Sequence, residues 1–521
     1  MRRSWVSTAS FPAGGFAGDE NSRPGFGDPR QGFETCGIVE LMHSCELLTR
    51  FTGDRSWTDR CEELAFNSLP ASYDAQQKVM HYITCANSVQ LDDHRKHGQF
   101  QNPFAMQAYK YGVHQYRCCP HNYGMGWPYY AQELWLATTD NGLAASMYAA
   151  SKVTARVAAG ETVSIVQDTD YPFSETIRFT VQTPHSVRFP LYLRRPGWAH
   201  EVQLRVNGQP APARGEWIKL DRTWRSGDRV ELVLPMQTRT LTYADNQNSM
   251  AVNRGPLSYS LQIDERDERI GGTDDWPELA VYPESPWNYG LVAGAGFDVV
   301  RRDAGANPFT PEGTPLALTT QARRIPEWET DTEDVVGLLQ PSPARSSEPV
   351  ETVTLIPMGA ARLRIAAFPQ VSPRGKQWRY RTRITASHVN DGDSLEAPDS
   401  GRVPASSADM SIPRFTWWDR RGTTEWIEYD LRAPREVSQV SAYWFDDTGS
   451  GQCRVPASWR VLWLDGETWR AVENSTPYDV SLDRVNTTTF TPVRAQLVRV
   501  EAVLRPTYSG GLLQVYFSGP G

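Results

Sequence analysis

The chain has no stretch approaching the ~18 consecutive apolar residues that a membrane span needs, so no membrane-spanning helix and no membrane partner are expected. It carries no excess of positive charge, with Lys and Arg totalling 53 against 61 Asp and Glu for a net −8, and no long basic run that would track a phosphate backbone. Nucleic acid is excluded as a partner. After Met1-Arg2-Arg3 the chain passes directly into Ser, Thr, Pro and Gly without an apolar signal core, so the expected location is cytoplasmic, or secreted if an upstream signal has been lost. No Cys-x-x-Cys pair suggests a thiol redox protein, and Cys453 is the only cysteine beyond residue 143, so a disulfide framework for the whole chain is excluded. No repeat of 20–50 residues is evident.

Aromatic residues are plentiful instead, at 11 % with 18 Trp. Indoles stack on the apolar faces of sugar rings, which points to carbohydrate, although Trp also fills β-sandwich cores. At ~150 residues per domain, 521 residues imply several domains.

Six of the seven Cys (36, 45, 61, 85, 118, 119) and six of the nine His (43, 81, 94, 97, 114, 121) lie before residue 143, and so do the helical signals. Ile38, Leu41, Met42, Cys45 and Leu48 recur at helical spacing up to a stop at Gly53. Ser56-x-x-Asp59 resembles a capping box opening a second helix through Trp57, Cys61, Leu64 and Ala65. A third is expected from about Trp127 to Asn141-Gly142, with Pro128 near its start. Beyond Gly142 the period changes to two: Val163/Ile165, Ile177/Phe179/Val181, Phe189/Leu191/Leu193, Val202/Leu204/Val206 and Val230/Leu232/Leu234 predict a β-sandwich, with a hairpin turn at Asn207-Gly208. Residues 301–350, Pro-rich and charged, read as an excursion or linker. A further all-β unit begins near 376. The expected divisions are 1–142, 143–270, 271–375 and 376–521.

The most specific local feature is Glu34-Thr35-Cys36 together with Cys118-Cys119-Pro120. Three thiolates and a carboxylate make a plausible four-coordinate zinc shell; the alternative for these residues is buried free thiols. Vicinal cysteines pair with each other only across a strained peptide, whereas both can ligate one metal.

Glu34-Thr35-Cys36 opening a helix, followed by Arg117-Cys118-Cys119-Pro120-x-Asn122 before another and β modules behind, resembles the zinc-and-cysteine glycoside hydrolases of the β-L-arabinofuranosidase type. The resemblance implies an (α/α)6 barrel followed by β-sandwiches, and retaining hydrolysis of an arabinofuranoside or related plant glycan through a cysteine nucleophile. It implies Zn²⁺ on Glu34, Cys36, Cys118 and Cys119, with Cys118 also the nucleophile. Glu20 is the position it offers for the acid/base, with Asp19 as fallback. Tyr82, beside His81, resembles a substrate-contacting tyrosine, and both are taken as candidate substrate contacts. Position 116, where some members of the family carry an active-site His, is Tyr. His94-x-x-His97 beside Asp92-Asp93 reads as a polar turn or a separate metal site; His114 and His121 read as structural hydrogen-bonding residues.

Three helices fall short of twelve, so the expected fold is a partial (α/α)6 barrel, then β-sandwiches and a carboxyl-terminal jelly roll. An incomplete helical layer implies a homo-oligomer or a complementing subunit. The last unit looks like the discoidin or galactose-binding-like jelly rolls through Ala386-Ser387-His388, Phe415-Thr416-Trp417-Trp418, Glu425 to Leu431, Pro456-Ala457-Ser458-Trp459 and Gly466-Glu467-Thr468-Trp469, with most of these aromatics expected in its core. The alternative to a zinc-dependent glycosidase is a non-catalytic carbohydrate-binding or scaffold protein whose zinc is structural.

Overall fold

The computed structural model describes residues 28–94, 96, 106–111, 116–331, 333–379, 382–390 and 393–519. Among them stand three α-helices where a partial barrel was expected, followed by a succession of β-sheets. Helix α1, Thr35–Thr52, buries Ile38, Val39, Met42, Cys45 and Thr49 on one face and ends as its sequence predicts. Gly53 takes a left-handed φ of 66° and donates its N–H to the Thr49 carbonyl.

Helix α2, Arg55–Glu63, starts earlier than the expected capping box. Asp54 is the N-cap, accepting the Ser56 N–H at 3.1 Å, while Asp59 is drawn away to Arg194 and to the Gly197 N–H. Helix α3, Cys119–Gln132, also starts earlier than predicted and holds Pro128 in its interior. Pro120 sets that start, since its missing N–H falls in the first turn, where backbone donors have no helical acceptor. Leu134 and Trp135 lie beyond the helix; Trp135–Ala137 pairs instead with Leu143–Ala145 around a turn at Asn141, whose φ is 59°. Helices α1 and α3 meet at Gly126, where an added Cβ would come within 3.2 Å of Val39.

The alternating segments form two layers. Six strands run in the order 209–210, 203–206, 229–233, 176–182, 161–168, 151–157, and four in the order 217–224, 187–194, 143–145, 135–137. Asn207 and Gly208 both have positive φ, as a tight hairpin turn with the twist of its strands demands. Next comes a ten-stranded sheet beginning at Thr238–Tyr243. The segment 301–350 is more than a linker, because Leu316–Arg324 lies inside that sheet between Tyr289–Val292 and Val350–Pro357. Leu316, Leu318, Thr320 and Ala322 are buried in alternation, but Thr320 is polar and Ala317 is buried as well, which hid the strand's apolar period among the prolines and charges around it.

One continuous apolar cluster runs from Phe33 to Trp378, so the helices and both sheet systems share a core. A second cluster, from Ile384 to Val515, belongs to the seven-stranded carboxyl-terminal sheet and holds Phe415, Trp417, Tyr429 and Trp459, so most of the motif aromatics are core residues there. Two polar clusters tie the parts together. Arg194, wholly buried on the sandwich, pairs with Glu62 of α2 at 2.5 Å and with Asp59, and Tyr171 donates to the other Glu62 oxygen at 2.6 Å. Arg30 pairs with Asp28 and reaches Glu396 of the carboxyl-terminal unit at 2.9 Å.

Candidate metal centre

Two stretches 82 residues apart deliver the four expected ligands to one point. Phe33–Glu34 is a short strand paired with Ile83–Thr84, and Glu34 is the N-cap of α1, which sets Cys36 in that helix's first turn. Cys118 is the N-cap of α3 and Cys119 its first residue. The ligand atoms of Glu34, Cys36, Cys118 and Cys119 all lie within 4.8 Å of one another. Cys36 Sγ and Cys119 Sγ are 3.2 Å apart, too far for a disulfide, and the Cys118 thiol is 3.6 Å from Glu34 Oε1. Both pairs therefore sit at helix N-termini, whose unsatisfied N–H groups and positive dipole ends favour thiolate and carboxylate.

The protonation chemistry is that of a donor set suited to a cation. The Cys36 thiol is pushed far up by its hydrogen bond with Cys119, then by burial and by the Glu34 carboxylate. Burial raises Cys118 and Cys119 as well; Tyr82 opposes the rise at Cys118, and Cys36 opposes it at Cys119. Groups of one sign packed this closely keep their protons unless a positive ion shares the space. Three sulfurs and one oxygen within one coordination sphere fit Zn²⁺, with its thiolate and carboxylate ligands and tetrahedral habit, better than a hard cation that demands oxygen.

Cys118 is exposed, whereas Cys36 and Cys119 are buried. Tyr82 arrives through the backbone bond from Thr35 N–H to its carbonyl, 2.9 Å, and its hydroxyl stands 3.4 Å from Cys118 Sγ. Tyr116, in place of the His of some family members, packs edge-on to Tyr82 and donates to the Ala108 carbonyl.

His81 is placed elsewhere. It is 1 % exposed and its ring lies edge-on to Tyr109, because neighbours along an extended segment point to opposite sides and Tyr82 takes the side facing the thiol. Burial, reinforced by the Arg364 charge, lowers its pKa to about 3, so it is a neutral interior imidazole. Glu20 and Asp19 lie outside the described residues, as do His97 and His114. Asp92 and His94 come together with Asp334, but the Asp92 carboxylate already takes Lys96 at 3.2 Å and Gln90 at 2.6 Å, so this polar turn is charge-compensated by the chain itself.

Sequence reasoning passed over Tyr73, Gln77 and Tyr123, whereas His121 was read as a structural hydrogen-bonding residue, as it is here, and Asn122 stood in the quoted motif. Tyr123, one turn on from Cys119, packs against Tyr73 with centroids 4.3 Å apart and the rings tilted by 47°, and donates to Gln77 Oε1 at 3.2 Å. His121 Nδ1 bonds the Arg117 carbonyl at 2.8 Å, and Asn122 Nδ2 donates to the Cys118 carbonyl at 3.3 Å. The i, i+4 spacing of His121 and Asn122 from the two residues they hold was the available signal.

Residues 3–132 match the family model described as the β-L-arabinofuranosidase GH127 catalytic domain, and residues 142–236 match the GH127 middle domain. No curated protein matches the chain. Among solved structures, a GH127 β-arabinofuranosidase is 18 % identical with a TM-score of 0.53, over 72 % of this chain and 56 % of that one. One described as a glycoside hydrolase is 20 % identical with a TM-score of 0.53, over 70 % and 60 %. A GH127 β-L-arabinofuranosidase from Geobacillus stearothermophilus T6 is 19 % identical with a TM-score of 0.49, over 72 % and 54 %. At these identities the likeness to the two structures with a TM-score of 0.53 is one of fold, and the chain spans between 54 % and 60 % of the length of all three.

Proposed function

We propose, from the premise that the chain belongs to GH127, the β-L-arabinofuranosidase family, that it is a retaining glycoside hydrolase of arabinofuranosides or related plant glycans, with Cys118 as nucleophile. The observation that carries this reading is the convergence of Glu34, Cys36 and Cys119 on the sulfur of an exposed Cys118. A zinc ion held by these four residues would keep the Cys118 sulfur ionised at neutral pH.

The chain's own residues account for the rest. The start of α3 sets the backbone of Cys118, and Tyr82 directs its hydroxyl at the sulfur, limiting the directions the side chain can take. The sulfur attacks the anomeric carbon; an S–C bond forms as the C–O bond to the leaving group breaks, and the departing oxygen takes a proton from the acid/base, which the family resemblance assigns to Glu20. Water then gives a proton to that carboxylate and adds to the same carbon, and the S–C electron pair returns to sulfur. Two displacements restore the original configuration.

Exposure of Cys118 favours this reading over a structural zinc scaffold, because a structural centre closes around all four ligands. Protein purified under reducing conditions is expected to carry stoichiometric zinc and to hydrolyse an aryl β-L-arabinofuranoside. Cys118→Ala is expected to abolish turnover while leaving the circular dichroism spectrum unchanged. Reduced protein without zinc, or a Cys118→Ala variant as active as its parent, overturns the reading.

A further inference from the structure

The sulfur proposed to react sits at the very start of a helix, where the first N–H groups have no helical acceptor and the Arg117 carbonyl lies outside the regular ladder. The two peptide units flanking Cys118 are nonetheless held. The Arg117 carbonyl is bonded by His121 Nδ1 at 2.8 Å, and the Cys118 carbonyl takes both the Asn122 backbone N–H at 3.0 Å and the Asn122 side-chain amide at 3.3 Å. With φ −83° and ψ −39° set in this way, the direction of the Cys118 sulfur depends on one remaining torsion, χ1.

We infer that His121 and Asn122 are positioning residues for Cys118, clamping the peptide on each side of it so that its sulfur meets the Glu34, Cys36 and Cys119 ligand atoms in one geometry. Neither residue is a ligand and neither belongs to the four-membered cluster. The bond to the Arg117 carbonyl places the His121 proton on Nδ1, so its part in the clamp requires the neutral Nδ1–H tautomer or the imidazolium.

Asn122 shows that the clamp serves geometry more than stability. Its Oδ1 is buried without a partner, so the same side chain that donates to Cys118 also leaves a desolvated acceptor unpaired. Truncating Asn122 removes both the favourable bond and that unfavourable atom. Fold stability is therefore expected to change little, while the ligand geometry loses a restraint.

The inference rests on the zinc-thiolate reading of the centre, and the experiment separates the two. Zinc affinity of the full-length reduced protein is measured by competition with a chromophoric chelator, alongside the thermal midpoint of the zinc-free protein. His121→Ala and Asn122→Ala are expected to weaken zinc binding by about 10- to 100-fold, the range found when residues orienting metal ligands are lost. The zinc-free midpoint of Asn122→Ala is expected to stay the same or rise. His121→Asn keeps an amide donor near the Nδ1 position, and Asn122→Ser keeps a hydroxyl able to reach the carbonyl four residues back; both are expected to recover most of the affinity.

Unchanged affinity in both alanine variants overturns the inference and leaves the zinc reading standing. So does a loss of affinity that is matched by an equal loss of zinc-free stability, or one that the donor-retaining variants fail to recover. A parent protein that binds no zinc overturns the reading of the centre, and the clamp with it.

Discussion

Replacing Arg194 by Met tests whether the helical layer is pinned to the sandwich by a desolvated ion cluster. The guanidinium is wholly buried; it pairs with Glu62 and Asp59, and its Nε donates to the Ser146 carbonyl at 2.6 Å. Methionine fills similar volume but leaves the Glu62 carboxylate buried with only Tyr171 and a backbone N–H for company. Stranding one member of a buried pair costs about 3–5 kcal/mol, so the body of the protein is expected to lose about that much near pH 8. The loss depends on pH with a defined sign. Burial already raises Glu62 above the ordinary carboxylate value, against the pull of Arg194, and removing Arg194 raises it further. A carboxyl whose folded pKa lies above its unfolded value of about 4.5 stabilises the fold when protonated and loses that contribution as pH rises through the folded value. The deficit of the variant is therefore smallest near pH 5 and grows toward pH 8, by about 1.4 kcal/mol for each unit that Glu62 is raised further. Urea unfolding followed by tryptophan fluorescence at both pH values measures this, and adding Glu62→Leu is expected to recover at least half of the loss. A deficit below about 1 kcal/mol, or one equal at both pH values, would refute the assignment of a buried, uncompensated charge.

Tyr82→Phe removes the hydroxyl that opposes the rise of the Cys118 thiol; in zinc-free protein, Cys118 is expected to react with iodoacetamide more slowly at any pH below its pKa, read from the pH profile of the rate. With zinc bound as proposed, adding a chelator is expected to lower the thermal midpoint, since an ion present at 100 times its dissociation constant contributes about 2.7 kcal/mol to the folded state. Asp331 is raised to about 7, by burial first and then by Glu396, with Glu333 adding to the effect. Arg30 faces the same cluster, paired with Asp28 and Glu396. A raised carboxyl stabilises when protonated, so the seating of the carboxyl-terminal unit is expected to resist limited proteolysis better near pH 5 than near pH 8, and Asp331→Asn is expected to remove that difference.

What could be read from the chain alone follows from how local each signal is. Strands such as Ile177/Phe179/Val181 are one-sided and stand in a period-2 pattern, and the end of α1 is written in a single glycine; both were legible. The start of α3 was missed because Pro128 is a stronger visual break than Pro120, although only Pro120 falls in the first turn. The strand Leu316–Arg324 was missed because its burial comes from neighbours on both sides within the sheet, which no short window contains. At the centre, the four ligands and their grouping were legible, since thiols and a carboxylate in two short motifs carry their chemistry in their identity. The turning of His81 into the core was not, because it depends on the Tyr82 carbonyl meeting the Thr35 N–H beside the short ladder of Phe33–Glu34 with Ile83–Thr84, a pairing of segments far apart in sequence.

The loops between the two ligand motifs are stitched to strands made much later. Asn87 and Ser88 pair with Ile365 and Arg364, Leu91 bridges Val281, and Tyr109 bridges Leu279. A growing chain thus exposes all the thiols of the centre about 250 residues before the last of these partners is made, which at roughly 5–20 residues per second is about 12–50 s. During that interval Cys36, Cys118 and Cys119 are unshielded nucleophiles on an unfinished scaffold. Capture of the proposed zinc as soon as both motifs have emerged would protect them, and the order in which the chain is built would then be part of how the centre is assembled.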